Sequence, residues 1–222
     1  MKHYLFLGLC LMFAACASSK SVYYPPASSG AYSTIPPQGP FQPNTNLYVC
    51  HNFSISNRPH ADASGKIYNY SPMVVVRGVV LAAAPSNDVC VTSGFGPRGS
   101  RMHKGIDLQS RPAGMIYSAA PGTVLEVSVQ RGFGNQVLID HGAGVYTRYA
   151  HLASYAPSLR PGQRIGFGQP LGMMGATGNA TAVHLHYEIL TGNYNTPKRS
   201  YGLTANNPLS FPAWAGLDSG TS

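Results

Sequence analysis

The stretch Val183-His184-Leu185-His186-Tyr187-Glu188-Ile189 constrains this chain more than any other. Taken with the two-residue period of a strand, Val183, Leu185, Tyr187 and Ile189 point one way, and His184, His186 and Glu188 the other. One face suits a core. The other presents two imidazoles and a carboxylate side by side, the two rings about 7 Å apart along the strand. Imidazole serves both as a metal ligand and as a general base near neutral pH. Such a strand can give one ring to a metal and keep the other for proton transfer. Alone, His-x-His is polar surface more often than a site, so the rest of the chain must supply partners.

Short apolar or alternating runs recur from Met73 on, the clearest alternation being Leu125, Val127 and Val129 against Glu126, Ser128 and Gln130. Met73 to Val76, Val79 to Ala82, Cys90 to Ser93, Thr123 to Gln130, Gln136 to Asp140, Val145 to Leu152, Arg164 to Phe167, Leu171 to Met174 and Val183 to Leu190 read as short strands. Gly94 to Gly99, Pro121-Gly122, Gly132 to Asn135 and Pro161-Gly162 punctuate them. With 25 Gly and 18 Pro in 222 residues, and no helix-period run of ten, the expected fold is all-β, an antiparallel sandwich or open barrel. Charged residues are only 10% of the chain, yet the balance is +8. The cations are scattered, which suits an anionic polymer or lipid headgroup. The amino terminus argues for export and therefore against nucleic acid.

That terminus is Met-Lys-His, then 12 uncharged, mostly apolar residues from Tyr4 to Ala15, then Cys16-Ala17-Ser18-Ser19. A basic start, an apolar run too short for a bilayer and small residues before a cut form a signal peptide. Ala14-Ala15-Cys16 resembles a bacterial lipoprotein signal, which implies lipidation of Cys16. Phe13 stands where such signals usually carry an aliphatic residue. Pro25-Pro26, Pro36-Pro37, Pro40 and Pro43 then forbid regular structure. The expected organisation is a signal peptide at 1–15, a flexible linker at 16–46, an extension packing on the domain at 47–89, the core at 90–193 and a tail at 194–222. Within the tail, Phe211, Pro212 and Trp214 are candidates to pack back. Beyond Cys16, Cys50 and Cys90 are the cysteines left in the mature domain, an even pair that suits a disulfide in an exported protein, the alternative being two buried free thiols.

His51, His60 and His141 sit in turn-like contexts and read as surface or locally bonded. The remaining histidines fall in His103-Lys104-Gly105-Ile106-Asp107, in Tyr149-Ala150-His151-Leu152 and in the opening strand. His103 and Asp107 would lie roughly 13 Å apart in a flat strand, too far for one ion at about 2 Å. A bend, which Gly105 allows, would bring them together. His, Asp and a second His then make a three-ligand set with one open position.

These segments resemble the lysostaphin/LytM-type zinc endopeptidases of bacterial cell walls. The likeness rests on Ser93 to Arg98, His103 to Asp107, Ala120 to Val124, Gly134-Asn135, Ile139 to Gly142, Tyr149 to Leu152, Gly175 to Gly178 and His184 to Ile189, in the family's order. It implies one zinc per chain held by His103, Asp107 and His186, with His151 and His184 as the catalytic pair. It implies a lysostaphin/LytM-type fold and hydrolysis of peptide bonds in peptidoglycan stems or cross-links. The alternative is a non-cleaving wall-binding or hydrolase-activating protein. With the signal, it places the chain in the cell envelope, lipid-anchored and facing the periplasm from the outer membrane, or else secreted or periplasmic. The loop Asn179 to Val183 departs from the family's pattern beside the groove. Glu188 is a candidate to orient a histidine, the alternative being a solvent-facing charge; Asn135 and Tyr149 are candidates to line the groove, the alternative being turn chemistry and packing. A donor from Asn46, His51 or Asn52 could also fill the open position.

Overall fold

The computed structural model describes residues 39–51, 56–195 and 199–216. The expected signal peptide, Cys16 and the expected linker up to residue 38 lie outside the described residues. In chain order the strands are β1 (Tyr48–Val49), β2 (Met73–Val76), β3 (Val79–Ala82), β4 (Cys90–Ser93), β5 (Gly96–Arg98), β6 (Arg101–His103), β7 (Ile106–Gln109) and β8 (Met115–Tyr117). There follow β9 (Gly122–Gln130), β10 (Gly134–Asp140), β11 (Val145–Ala150), β12 (Ser154–Tyr155), β13 (Arg164–Ile165), β14 (Pro170–Met173), β15 (Leu185–Thr191) and β16 (Thr204–Asn206). The only helical element among the described residues is a 3-10 turn at Arg199–Gly202. The all-β expectation holds among the described residues, where Gly and Pro turns interrupt the chain too often for a helix to nucleate and extend.

The main sheet runs β1-β4-β7-β15-β11-β10-β9-β13, with β16 also on β15. Its pairs are antiparallel except β1 with β4, which is parallel. Long alternating strands pair through tight turns: β9 joins β10 through a three-residue turn and pairs over its whole length. β15 is central. One edge pairs with β11, the other with β7 at its start and with β16 at its end.

This position corrects the one-sided reading of the opening strand. Leu185, Tyr187 and Ile189 do enter the main core, where all three are fully buried. At roughly 1.5–3 kcal/mol each, they tie the strand to the domain. The opposite face is buried too: every residue of β15 is enclosed. Leu190 joins Leu138, Tyr146 and Leu203 in a second apolar cluster on that side. Val183, expected in the core, precedes the strand and is exposed.

The flexible linker was expected to reach residue 46, but residues 39–46 lie against the domain. The Phe41 ring stacks on Tyr117 at 5.1 Å and meets Phe167 at 5.4 Å. The Gln42 amide donates to Asn87 Oδ1, and Asn44 Nδ2 donates to the Ser86 carbonyl. At the other end, Trp214 donates its amide to Met73, and the Pro212 carbonyl accepts from Val75. The expected packing of 211–214 is therefore present, as an extra edge on β2.

Cys50 and Cys90 are joined in a disulfide across 40 residues of sequence. It ties the residue after β1 to the first residue of β4. Closing a loop of that length removes about 4 kcal/mol of chain entropy from the unfolded state. Reduction, or Cys50→Ser with Cys90→Ser, should lower the melting temperature by roughly 10 °C. Calorimetry with and without reductant checks this; an unchanged melting temperature would refute it.

Candidate metal centre

Three strands and one bend bring the candidate ligands together. The β7–β15 register sets Asp107 directly opposite His186, so their Cβ atoms face each other across one ladder step. His103 ends the β5–β6 hairpin, and the chain turns at Lys104-Gly105 into β7. The bend is present, but glycine is needed there for close approach. A Cβ at Gly105 would stand 2.2 Å from the Tyr187 carbonyl oxygen and 3.0 Å from His186 Cε1.

His103 Nε2, Asp107 Oδ1 and His186 Nδ1 converge. The separations are 3.0 Å between His103 and Asp107, 2.9 Å between His186 and Asp107, and 3.1 Å between the two imidazoles. All three residues are buried. The opposite atom of each is already engaged. His103 Nδ1 donates to the Gly94 carbonyl at 2.6 Å. His186 Nε2 donates to Glu188 Oε1 at 3.1 Å. Asp107 Oδ2 accepts from Arg98 Nη2 at 3.1 Å. In their neutral forms both rings therefore aim a bare nitrogen lone pair at the same point as a carboxylate oxygen. Three bare acceptors cannot satisfy one another; a proton on His186 Nδ1 or a shared metal ion would. Two imidazoles and one carboxylate are a donor set that fits zinc, and these three residues could bind a metal.

The electrostatics agree. Burial alone would raise the Asp107 carboxyl, yet His103 and His186 hold it well below the usual carboxylate range. Burial disfavours charge on His186, but the contacts with Asp107 and Glu188 outweigh it and raise its pKa to about 9. Glu188 is fully buried; burial would raise it, but His186 and Arg148 keep it below its ordinary value. Arg148 Nη1 donates to Glu188 Oε2 at 2.9 Å, and its guanidinium lies 4.3 Å over the Phe133 ring. The line Arg148–Glu188–His186 pins the tautomer and tilt of the ring behind the site.

His151 and His184 stand beside this nest, their rings 4.8 Å apart. His151 follows the end of β11 with φ +65°, a conformation that costs a β-carbon-bearing residue of order 1 kcal/mol or more. That twist ends the expected Val145–Leu152 strand at Ala150. His151 Nδ1 donates to the Thr177 carbonyl and His184 Nδ1 to the Ala182 carbonyl, both at 2.8 Å. Each thus leaves Nε2 as an acceptor, and His184 Nε2 lies 3.7 Å from Asp107 Oδ1. Burial pushes the His151 imidazole down to about 4, so it is neutral near pH 7.

All five candidate residues line one groove of about 540 Å³, with Arg98, Arg131, Gly132, Phe133 and the 179–181 loop. Asn46 and His51 do not line it, and Asn52 is outside the described residues. His141 is not part of it either: it bonds the Pro121 carbonyl and the Thr147 hydroxyl. Asn135 Nδ2 donates to the Leu152 carbonyl, and the Tyr149 hydroxyl accepts from the Ala119 amide. Neither lines the groove; both bonds are internal to the fold. Arg98 and Arg148 went unassigned there. Arg98 carried a signal, its place in Gly96-Pro97-Arg98 just before His103. Arg148 carried none, because only strand pairing puts it opposite Glu188.

Residues 101–197 match the model of Peptidase family M23. Peptidoglycan DD-endopeptidase ShyB of Vibrio cholerae is 34% identical over 110 residues, 46% of this chain and 25% of that protein. DD-carboxypeptidase/endopeptidase Mpg of Neisseria meningitidis is 37% identical over 91 residues, 40% of this chain and 20% of that protein. The chain thus spans about a quarter or less of the length of these relatives. The crystal structure of a zinc containing peptidase from Vibrio cholerae shares the fold, with a TM-score of 0.52 and 24% identity over 64% of this chain and 46% of that one.

Proposed function

We propose that the M23 peptidase domain at residues 101–197 makes this chain a zinc-dependent endopeptidase acting on peptide bonds of peptidoglycan stems or cross-links. The observation that carries the reading is the convergence of three acceptor atoms whose opposite sides are all engaged. The names of the matched relatives support the substrate class. His103, Asp107 and His186 would hold the zinc, which when bound supplies a Lewis acid that polarises a carbonyl and makes water more acidic.

The proton work falls to His151 and His184. Their Nδ1 atoms are tied to carbonyls, so each can accept a proton only at Nε2. As water adds to the scissile carbonyl, one Nε2 takes its proton, and the protonated ring then donates to the departing amine. The other ring, whose Nδ1–H is tied to a carbonyl, steadies the developing charge only when it holds a proton at Nε2. His184→Ala should keep its zinc and lose roughly 10²- to 10⁴-fold in turnover on purified peptidoglycan. Zinc retained with turnover unchanged would remove His184 from the mechanism. A parent protein that releases no muropeptide would end the endopeptidase reading.

The amino-terminal sequence supports an envelope location, with Cys16 lipidated and the domain facing the periplasm from the outer membrane. Cys16→Ala should move the protein from the membrane fraction to the soluble fraction. An unchanged distribution would rule out the anchor.

A further inference from the structure

The groove has an unbalanced charge. Its lining cations are Arg98 and Arg131, and its one lining carboxylate is Asp107. Arg98 is occupied: it donates to Asp107 Oδ2 and to the Ser93 hydroxyl. Arg131 is exposed, and among the described residues no carboxylate pairs with it. A lining of this sign attracts an anion, and Arg131 is the cation left to meet it.

The turn that carries Arg131 is held rigidly. A Cβ at Gly134 would strike the Thr177 carbonyl carbon at 2.4 Å, and one at Gly178 would strike Gly134 N at 2.4 Å. The two loops are therefore in backbone contact. The Asn179 amide donates to the Gly132 carbonyl at 2.9 Å, and the Asn135 amide to Thr177 Oγ1 at 3.0 Å. Two residues beyond Arg131, the Phe133 ring lies 5.8 Å from the His186 ring. Arg131 thus stands on a platform whose far end touches the metal nest. Asn179 and Thr181 line the same groove.

We infer that Arg131 is a specificity residue that binds a carboxylate of the peptide substrate, on a residue flanking the scissile bond. The inference rests on the endopeptidase reading above and names the chemistry that the groove selects. A guanidinium fork matches a carboxylate with two parallel N–H···O bonds. A turn fixed by its backbone contacts spares the ordering of the main chain, so the contact costs only the freedom of the Arg131 side chain.

The test compares two synthetic substrates on the zinc-loaded protein. One is a cross-linked stem-peptide dimer with its carboxylates free, and the other is the same dimer with them converted to carboxamides. The parent should prefer the free acid in kcat/KM by about tenfold or more, mainly through KM, the scale of one charge-assisted contact. Arg131→Gln should bring that ratio close to one, and Arg131→Lys should restore part of it. No preference in the parent, or a ratio unmoved by Arg131→Gln, would overturn the inference and leave Arg131 a solvated surface charge. Failure of the parent to cut either dimer would sink the endopeptidase reading, and this inference with it.

Discussion

His103→Ala is expected to yield a folded chain that no longer retains zinc through dialysis and is inactive on peptidoglycan. The side chain supplies one of three converging donors, at 3.0 and 3.1 Å from the other two. Its loss leaves Asp107 Oδ1 and His186 Nδ1, too few to hold the ion against water. Polarisation of the carbonyl is worth several kcal/mol, and each 1.36 kcal/mol is tenfold in rate. A fall of at least about 10³-fold follows. Zinc content and muropeptide release on one preparation check both halves; zinc bound at parent affinity would refute the ligand assignment. The same centre predicts proton release. Without metal, His186 has its pKa raised to about 9, so it carries a proton at pH 7. Zinc must displace that proton, so loading at pH 7 should liberate close to one proton from this ring. The release should fade as pH rises through about 9. Titration calorimetry in buffers of different ionisation enthalpy measures it.

Glu188→Ala is expected to be the most destabilising single change at the site. Glu188 is fully buried between Arg148 and His186, at 2.9 and 3.1 Å. Truncation leaves the Arg148 guanidinium, whose side chain is 4% exposed, without its carboxylate. Breaking a buried pair from one side costs about 3–5 kcal/mol, because the remaining charge stays desolvated. His186 also loses the acceptor that holds its proton on Nε2, so zinc affinity should fall 10- to 100-fold. Glu188→Gln keeps an oxygen for the His186 N–H and should lose less of both. Chemical denaturation and chelator competition separate stability from affinity. A Glu188→Ala protein within 1 kcal/mol of the parent would show that the buried triad carries little.

The two residues behind these predictions differ in how far they could be read in advance. His103 was legible because His103 to Asp107 stands as one of the segments that carry the family resemblance, although Gly105 serves close approach to Tyr187 and not the bend itself. Glu188 was legible as a candidate only, since the strand's period fixed its side but not whether that side met water. Arg148 has no local pattern to announce it. It reaches Glu188 through the β11–β15 ladder, 40 residues away in sequence. Phe41 likewise sits in a stretch whose prolines announce only an irregular chain. Docking there depends on side chains of Tyr117 and Phe167 that no nearby residue specifies.

The sequence by itself determined the all-β class, the core-facing side of Leu185, Tyr187 and Ile189, the candidate histidines and the even cysteine pair. These follow from local properties: a period of two, turn residues with restricted φ, and the chemistry of individual side chains. Only the tertiary structure decided that His186 and Glu188 are enclosed, that Arg98 and Arg148 bond Asp107 and Glu188 at the metal nest, and which nitrogen of each ring faces a carbonyl or carboxylate. The reason is that burial and tautomer are set by whatever packs across the sheet. Those partners are joined by register, and register links residues that have no neighbourhood in the chain.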